Sequence, residues 1–231
     1  MNYIKWNEQD SRYIDGLVIC ELPPITKPPM RVTETVIEGV DGSIIEEVGY
    51  SSYDKALVIG ITPKAKIDEI IKFFSGKGEV IFSNEADKFY KAHIINQIDY
   101  TRLVRFKTAT VIFRVQPYKY KLDEEQVTIP TKENVYNVEN WGTETSKPLI
   151  HLMGEGIVEC TLNGNAIFSY EFPENDIDVF IDSELQDAYI GTILKNRNMK
   201  GEFPVLQAGQ NVLSFTGTLN SVEILARSRW L

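Results

Sequence analysis

Six carboxylates crowd one stretch of this chain: Glu174, Asp176, Asp178, Asp182, Glu184 and Asp187. Oxygen ligands of that type chelate calcium, and two of them at the right separation hydrolyse a glycosidic bond. The spacing favours neither. Ile177, Val179 and Ile181 alternate with Asp176, Asp178, Phe180 and Asp182, the pattern of a β-strand with one wetted face. An EF-hand loop would also need a mid-loop glycine and a terminal bidentate glutamate, and neither stands at the right offset.

Other chemistry-bearing residues are scattered. A Ser-His-Asp or Cys-His arrangement would have to use His93, in the strand-like run Phe89–Asp99, or His151, in Pro148–Met153. No Gly-x-Ser-x-Gly nucleophile elbow accompanies them, and both read as ordinary strand residues. Ser75-Gly76-Lys77-Gly78 follows a helical pattern instead of opening one. It therefore lacks the free N–H groups that cradle phosphate, and reads as a helix cap and turn. Cys20 and Cys160 are the only cysteines and read as isolated thiols, not a disulfide. A zinc site would consume both cysteines and both histidines, none of which has a close partner. Tyr118, Tyr120, Tyr136, Trp141 and Trp230 are either a sugar-stacking platform or core and subunit-interface residues, and the sequence leaves both open. The expectation is no catalytic residue, no cofactor and no metal.

Composition narrows the class. The 231 residues are 43% hydrophobic, enough for ordinary cores. No run of about eighteen apolar residues predicts a membrane-spanning helix, and Met1–Asn7 has no apolar segment of signal-peptide length; synthesis and folding in a cytoplasm are expected. Residues 1–117 carry 15 basic and 16 acidic side chains, a net of −1, whereas residues 118–231 carry 9 and 17, a net of −8. The step predicts two units in different surroundings. The overall −9 argues against specific nucleic-acid binding, which needs a basic footprint.

The elements follow from periodicity. Gly16–Leu22 is a short apolar run stopped by Pro23-Pro24, and prolines 23, 24, 28 and 29 then make a stiff connection lacking four backbone donors. Asp41-Gly42 predicts a two-residue type I′ hairpin turn. Lys66–Ser75 is the one convincing helix, with Ile67, Ile70, Ile71 and Phe74 as its apolar stripe and Gly76 as its terminator. Strands are predicted at about 79–82, 89–99 and 103–116. Residues 118–132 read as a crossover. Short strands follow at 149–153, 157–162, 166–171, 177–181, 187–190, 211–216 and 221–226, a spacing that points to a β-sandwich.

Two motifs then acquire meaning from their order. Ile37-Glu38-Gly39-Val40-Asp41-Gly42 lies in the first half, followed by the Ile67–Phe74 helix and Gly78-Glu79-Val80-Ile81-Phe82. Phe203-Pro204-Val205-Leu206, then Gly209-x-Asn211 and Arg227-x-Arg229-Trp230, lie near the end. Together they resemble the distal tail protein (Dit) family of long-tailed bacteriophages and prophages. The resemblance marks Gly39, Asp41, Gly42, Phe203, Pro204, Gly209 and Asn211 as structural motif positions. It implies a mainly β chain: an N-terminal β-rich domain with one helix (1–125) and a C-terminal galectin-like β-sandwich (126–231). It further implies a non-enzymatic virion component at the tail tip. Six copies would form a ring joining the tail tube protein to the tail-tip hub or tail-associated lysin, with receptor-binding or baseplate proteins as further partners and no membrane contact. The chain has no long insertion of the kind that carries a separate receptor- or glycan-binding module in larger relatives. The alternative reading is a carbohydrate-binding module of a tail tip or cell surface; a β-sandwich glycan hydrolase is a third.

Overall fold

Alternating apolar and polar side chains suit strands that bury one face, and most of this chain alternates. The computed structural model describes residues 1–130, 135–174 and 176–231. Among them it is mainly β, with two α-helices and three single turns of 3-10 helix. Part of the predicted crossover, residues 131–132, lies outside the described residues. Two compact units separate, Met1–Lys119 with Leu231, and Tyr120–Trp230, and each encloses its own hydrophobic cluster.

The first unit runs β1 (Ile4–Trp6), β2 (Gln9–Asp10), β3 (Leu17–Glu21), β4 (Met30–Val36), β5 (Ser43–Tyr50), β6 (Tyr53–Ile61), α1 (Ile67–Phe73), β7 (Lys77–Phe82), β8 (Lys88–Ile94), α2 (Tyr100–Phe106) and β9 (Thr108–Lys121). Its main sheet has the order β2-β1-β7-β8-β9-β6-β3. β6 and β9 pair antiparallel from Tyr53↔Val115 to Gly60↔Thr108, which places Leu57, Ile59, Val111, Phe113 and Val115 in one core. Edge-to-face rings fill it: Phe113 lies 5.3 Å from Trp6, 5.7 Å from Phe82 and 6.5 Å from Phe74.

Helix α1 is shorter than its sequence pattern. Asp68 and Glu69 sit in its first turn, where the macrodipole favours acids. The expected stripe is shifted: Ile70, Phe73 and Phe74 are buried, while Ile71 is 40% exposed. Seven residues make two turns, and the contact line is set by Ile70 and Phe73 at i, i+3. Phe74 has already left the helix, with ψ 59°, and turns inward from there. Gly76 follows at φ +83°, in the left-handed region that glycine adopts without strain.

Helix α2 corrects the strand predicted from residue 103, which begins only at Thr108, and the strand predicted over 89–99 stops at Ile94. Asp99 caps it by accepting from the Arg102 amide at 2.8 Å, and Lys107 ends it at φ +67°. Only Leu103 of its seven residues is buried, so no apolar stripe betrays it.

The second unit contains β10 (Val127–Pro130), β11 (Val135–Asn140), β12 (Leu149–Leu162), β13 (Asn165–Glu171), β14 (Asp178–Asp182), β15 (Asp187–Ile190), β16 (Ile193–Leu194), β17 (Met199–Gly201), β18 (Gly209–Leu225) and β19 (Arg229–Trp230). Runs predicted as separate strands are continuous: 149–153 and 157–162 are one strand, as are 211–216 and 221–226. Their pairing shifts register between Met153 and Gly154 and again between Glu155 and Glu159. The glycines here bend the strands and do not end them. A side-chain carbon on Gly217, at φ +110°, would run into the Ile157 carbonyl. β14 pairs with the first half of β12, and β13 with the second half. One hydrophobic cluster nevertheless includes Ile150, Val179 and Ile181 with Cys160, Phe168 and Phe215, so the bent sheet doubles over a single core.

The two faces of α1 should respond differently to truncation. Phe74→Ala is expected to cost about 3–5 kcal/mol through lost burial and a residual cavity, whereas exposed Ile71→Ala should stay within about 0.5 kcal/mol. Denaturant unfolding of both variants checks this.

Candidate functional site

Leu22–Pro29 cannot bond as a strand does, because four of its residues are prolines without an N–H. Half of its amides are missing, and several of its carbonyls are met from outside. Asn84 Nδ2 donates to the Pro23 carbonyl at 3.0 Å, Lys55 Nζ to Pro24 at 3.0 Å and Tyr53 Oη to Thr26 at 3.3 Å, and the Ser51 amide donates to Pro29 at 2.9 Å. Lys55 is 2% exposed, with its ammonium 4.9 Å from the centre of the Tyr90 ring. Burial pushes Lys55 down to about 8, against the opposing pull of Glu85. Glu85 itself pairs with Lys119 and accepts from the Tyr90 hydroxyl. Burial, aided by Glu85, pushes Tyr53 up to about 12. Sequence periodicity contained a signal for Lys55, since it alternates with Leu57 and Ile59 on the core face of β6.

From this root projects an arm. β4 and β5 pair only with each other, and every residue from Pro29 to Val48 is exposed. The register Val32↔Glu47, Glu34↔Ile45 and Val36↔Ser43 puts Val32, Val36 and Ile45 with Glu34 and Glu47 on one face. The tip corrects the type I′ prediction. Pairing stops at Val36↔Ser43, leaving a six-residue loop, Ile37–Gly42, closed by the Val40 amide on the Ile37 carbonyl at 3.2 Å. A type I′ turn needs positive φ at two adjacent residues. Here Gly39 (+83°) and Gly42 (+91°) supply it separately, and Asp41 does not.

The C-terminal motif positions meet in a loop held by one side chain. Asn211 is fully buried. Its Oδ1 accepts from the Gln207 amide at 2.9 Å, and its Nδ2 donates to the carbonyls of Gln207 at 2.8 Å and Gly209 at 3.0 Å. Gly209 has φ +86°, Pro204 is buried, and Phe203 packs against the second core. The arm-tip residues Gly39, Asp41 and Gly42 belong to the first unit and these to the second.

The chemistry-bearing candidates are engaged in separate pairs. Asp176 binds Lys195 at 2.6 Å, Asp187 accepts from Asn196 at 2.7 Å, and Glu174 is exposed. Asp182 departs from the wetted-strand expectation. It is 2% exposed, whereas Ile177, expected inside, is 65% exposed. The Arg227 guanidinium grips Asp182 at 2.6 and 2.9 Å, and the amides of Glu184 and Leu185 also donate to it. Burial would raise Asp182, but these donors hold it below the usual carboxylate range. No sequence signal links residues 45 positions apart. His151 stands between Glu223 at 3.2 Å and Asp178 at 3.3 Å and stacks on Phe180 at 4.1 Å, which in turn stacks on Tyr189. Among the described residues no group of three or more His, Cys, Asp or Glu is placed to hold a metal.

His93 is exposed on β8, across from Lys77. Phe74 is the C-cap of α1 and Ser75 and Gly76 follow it, Ser75 Oγ donating to the Lys72 carbonyl at 2.7 Å. Both cysteines are free, Cys20 exposed and Cys160 buried; burial pushes the Cys160 thiol up to about 12. The aromatics do not assemble into a platform. Tyr118 packs edge-on against Tyr50, Tyr136 lies in the second core, and exposed Trp141 carries Lys121 above its ring at 4.7 Å; Tyr120 and Trp230 are half-buried. No helix among the described residues is long and apolar enough to cross a membrane.

Breaking the Asp182–Arg227 pair gives a pH-dependent test. Arg227→Ala should cost about 3–5 kcal/mol at neutral pH by leaving a buried carboxylate without its cation. Because Asp182 is lowered in the fold, its contribution is present above the unfolded value of about 3.9 and is lost as pH falls through the folded value. Without Arg227 the burial of Asp182 is less opposed and it protonates at higher pH than in the wild type, so the stability gap should narrow as pH falls from that point through the lowered wild-type value, as read by urea unfolding across pH.

No family model matches the chain, and no curated protein does. A solved structure does resemble it along its whole length. The SPP1 Dit (gp 19.1) protein, described as a paradigm of the hub adsorption apparatus in phages infecting Gram-positive bacteria, superposes with a TM-score of 0.73 at 14% identity, covering 100% of both chains. The likeness establishes a shared fold.

Proposed function

We propose that this chain is a structural, non-enzymatic component of a phage or prophage tail, a distal tail protein. In this reading six copies form a ring at the tail tip, between the tail tube protein and the tail-tip hub or tail-associated lysin, and baseplate or receptor-binding proteins attach to it. The observation that carries the reading is the full-length likeness to SPP1 Dit, TM-score 0.73 over both chains. The arm adds physical support. Such a long, exposed, partly apolar hairpin is a surface that assembly would cover. The first unit closes the ring, and the second, taken as a galectin-like sandwich, sits outside it. Its net charge of −8 over residues 118–231 disfavours crowding six such units at an axis. Carbohydrate binding draws less support, because of the candidate aromatics Tyr136 is buried in the second core and Tyr118 packs edge-on against Tyr50.

Electron microscopy of the full-length protein, alone and mixed with tube and hub proteins, is the direct test. Six-fold rings are expected in at least one preparation; their absence from both would overturn the reading. In light scattering, residues 1–125 should oligomerise and residues 126–231 stay monomeric. Replacing residues 32–48 by a short glycine-serine linker should abolish assembly and leave the melting temperature of the body within about 2 °C, since the replaced residues are exposed.

A further inference from the structure

Three places in the chain set an Asp or Asn directly before glycine: Asp15-Gly16, Asp41-Gly42 and Asn163-Gly164. This dipeptide carries chemistry that needs no other residue. The glycine amide nitrogen can close a succinimide ring on the side-chain Cγ before it, and glycine, without a Cβ, leaves that nitrogen open to approach. The fold decides whether the two groups are free to meet.

Two of the three are held. Asp15 and Gly16 occupy a turn closed by the Leu17 amide on the Ile14 carbonyl at 3.2 Å, and the Gly16 carbonyl accepts from the Thr62 amide at 2.9 Å. Gly16 is wedged against Ala65, whose backbone would lie 2.4 Å from a side-chain carbon placed there. The Asp15 carboxylate also pairs with Lys66 at 3.2 Å. Asn163 and Gly164, at φ +51° and +84°, form the two-residue turn between β12 and β13, with the two positive φ values of type I′. Both ends of the Asn163 carboxamide are taken: Oδ1 accepts from the Val212 amide at 2.8 Å, and Nδ2 donates to Asn211 Oδ1 at 3.3 Å. The Asn163 main-chain amide donates to the Val212 carbonyl at 2.7 Å, so backbone and side chain are fastened to the same strand, β18.

Asp41-Gly42 has none of these restraints. It lies in the exposed loop Ile37–Gly42, where no atom beyond the chain neighbours comes within 4 Å of the side-chain position of Gly42. The Asp41 carboxylate has no hydrogen bond or ion pair among the described residues.

We infer that Asp41-Gly42 is a site of spontaneous succinimide formation and isoaspartate accumulation, and that the fold spares Asp15 and Asn163. The Gly42 nitrogen attacks Cγ of the Asp41 carboxyl group. A C–N bond forms, the C–OH bond breaks, and water leaves with the hydroxyl and the amide proton. Water then opens the imide at either carbonyl. Opening at Cγ regenerates aspartate. Opening at the main-chain carbonyl gives isoaspartate, in which the peptide runs through Cβ and Cγ and the α-carboxylate becomes the side group. The backbone gains one methylene. Pairing stops at Val36↔Ser43, so the loop takes up the added length and the β4–β5 ladder persists. The same attack at Asn163 would release ammonia.

Ageing the full-length protein in heavy-oxygen water near neutral pH, followed by peptide mapping, tests this. The peptide holding Asp41 should take up one heavy oxygen and gain isoaspartate at least about tenfold faster than Asp15 isomerises or Asn163 deamidates, because those sites must first break the contacts that hold them. In denaturant the contrast should collapse, with Asn163 reacting at least as fast as Asp41. Asp41→Glu should abolish the tip signal, since the longer side chain would have to close a larger ring. Equal reaction at Asp15 or Asn163 in the folded protein would overturn the inference. So would an Asp41 peptide without heavy oxygen. Persistence of the contrast in denaturant would likewise overturn it, by showing that sequence neighbours and not the fold set the rates.

Discussion

A segment short of hydrogen-bond donors sets the terms for the first unit. Prolines 23, 24, 28 and 29 give the chain carbonyls to satisfy and few amides to satisfy them with. Donors must therefore come from outside the segment, and they come from the core face and loops of the main sheet: Lys55, Tyr53 and Asn84. Placing a lysine there is costly by itself, since burial disfavours its charge. Glu85 beside it supplies the compensating charge, partly offset by Lys119, with which it pairs. The arm that leaves this root pairs only within itself and is exposed from Pro29 to Val48, with Tyr50 at its base against Tyr118.

Much of this was legible in the sequence. Periodicity located β7, β8 and α1, because their burial is one-sided and local, but β6 (Tyr53–Ile61) was not among the predicted strands. It failed where geometry depends on residues far apart. β12 and β18 are each one strand because glycines at their bends sit where two backbones nearly touch. A glycine in sequence reads equally as a turn. α2 was missed because a helix with one buried residue leaves no stripe, though Asp99 three residues before Arg102 was a cap signal. At the arm tip, Asp-Gly was a fair hairpin cue, but Gly39 competes for the same positive-φ role. The motif positions fell in two places, an exposed tip and the loop stapled by Asn211, and sequence order alone did not tell the free element from the fastened one.

The acidic stretch shows how a suggestive cluster dissolves in three dimensions. Asp176, Asp182 and Asp187 are taken by Lys195, Arg227 and Asn196. Asp178 shares His151 with Glu223, one carboxylate at each ring nitrogen, so the pair diverge from the imidazole and do not converge on a common point. Catalysis by paired acids requires both to face one substrate bond, and chelation requires them to face one ion. Here Asp176, Asp178, Asp182, Glu184 and Asp187 each face a partner within the fold, and these contacts tie the β14–β15 region to its neighbours.

Averaging charge over whole domains conceals the feature that matters for assembly. The first 117 residues look neutral, at −1. The arm from Met30 to Tyr50 holds −4 of that, so the remainder carries −1 − (−4) = +3. The unit is therefore polarised between a projecting acidic element and a basic body. A body and arm of opposite sign repel like ends of two copies and attract unlike ends, which biases encounters toward head-to-tail order before any apolar surface is covered. Near-neutrality of the sum lets many such units gather without net repulsion, whereas a unit of uniform −1 character would have no preferred direction of approach. In the proposed ring, charge placed in this way would orient the approach of one copy to another, and exposed apolar side chains would strengthen the contact.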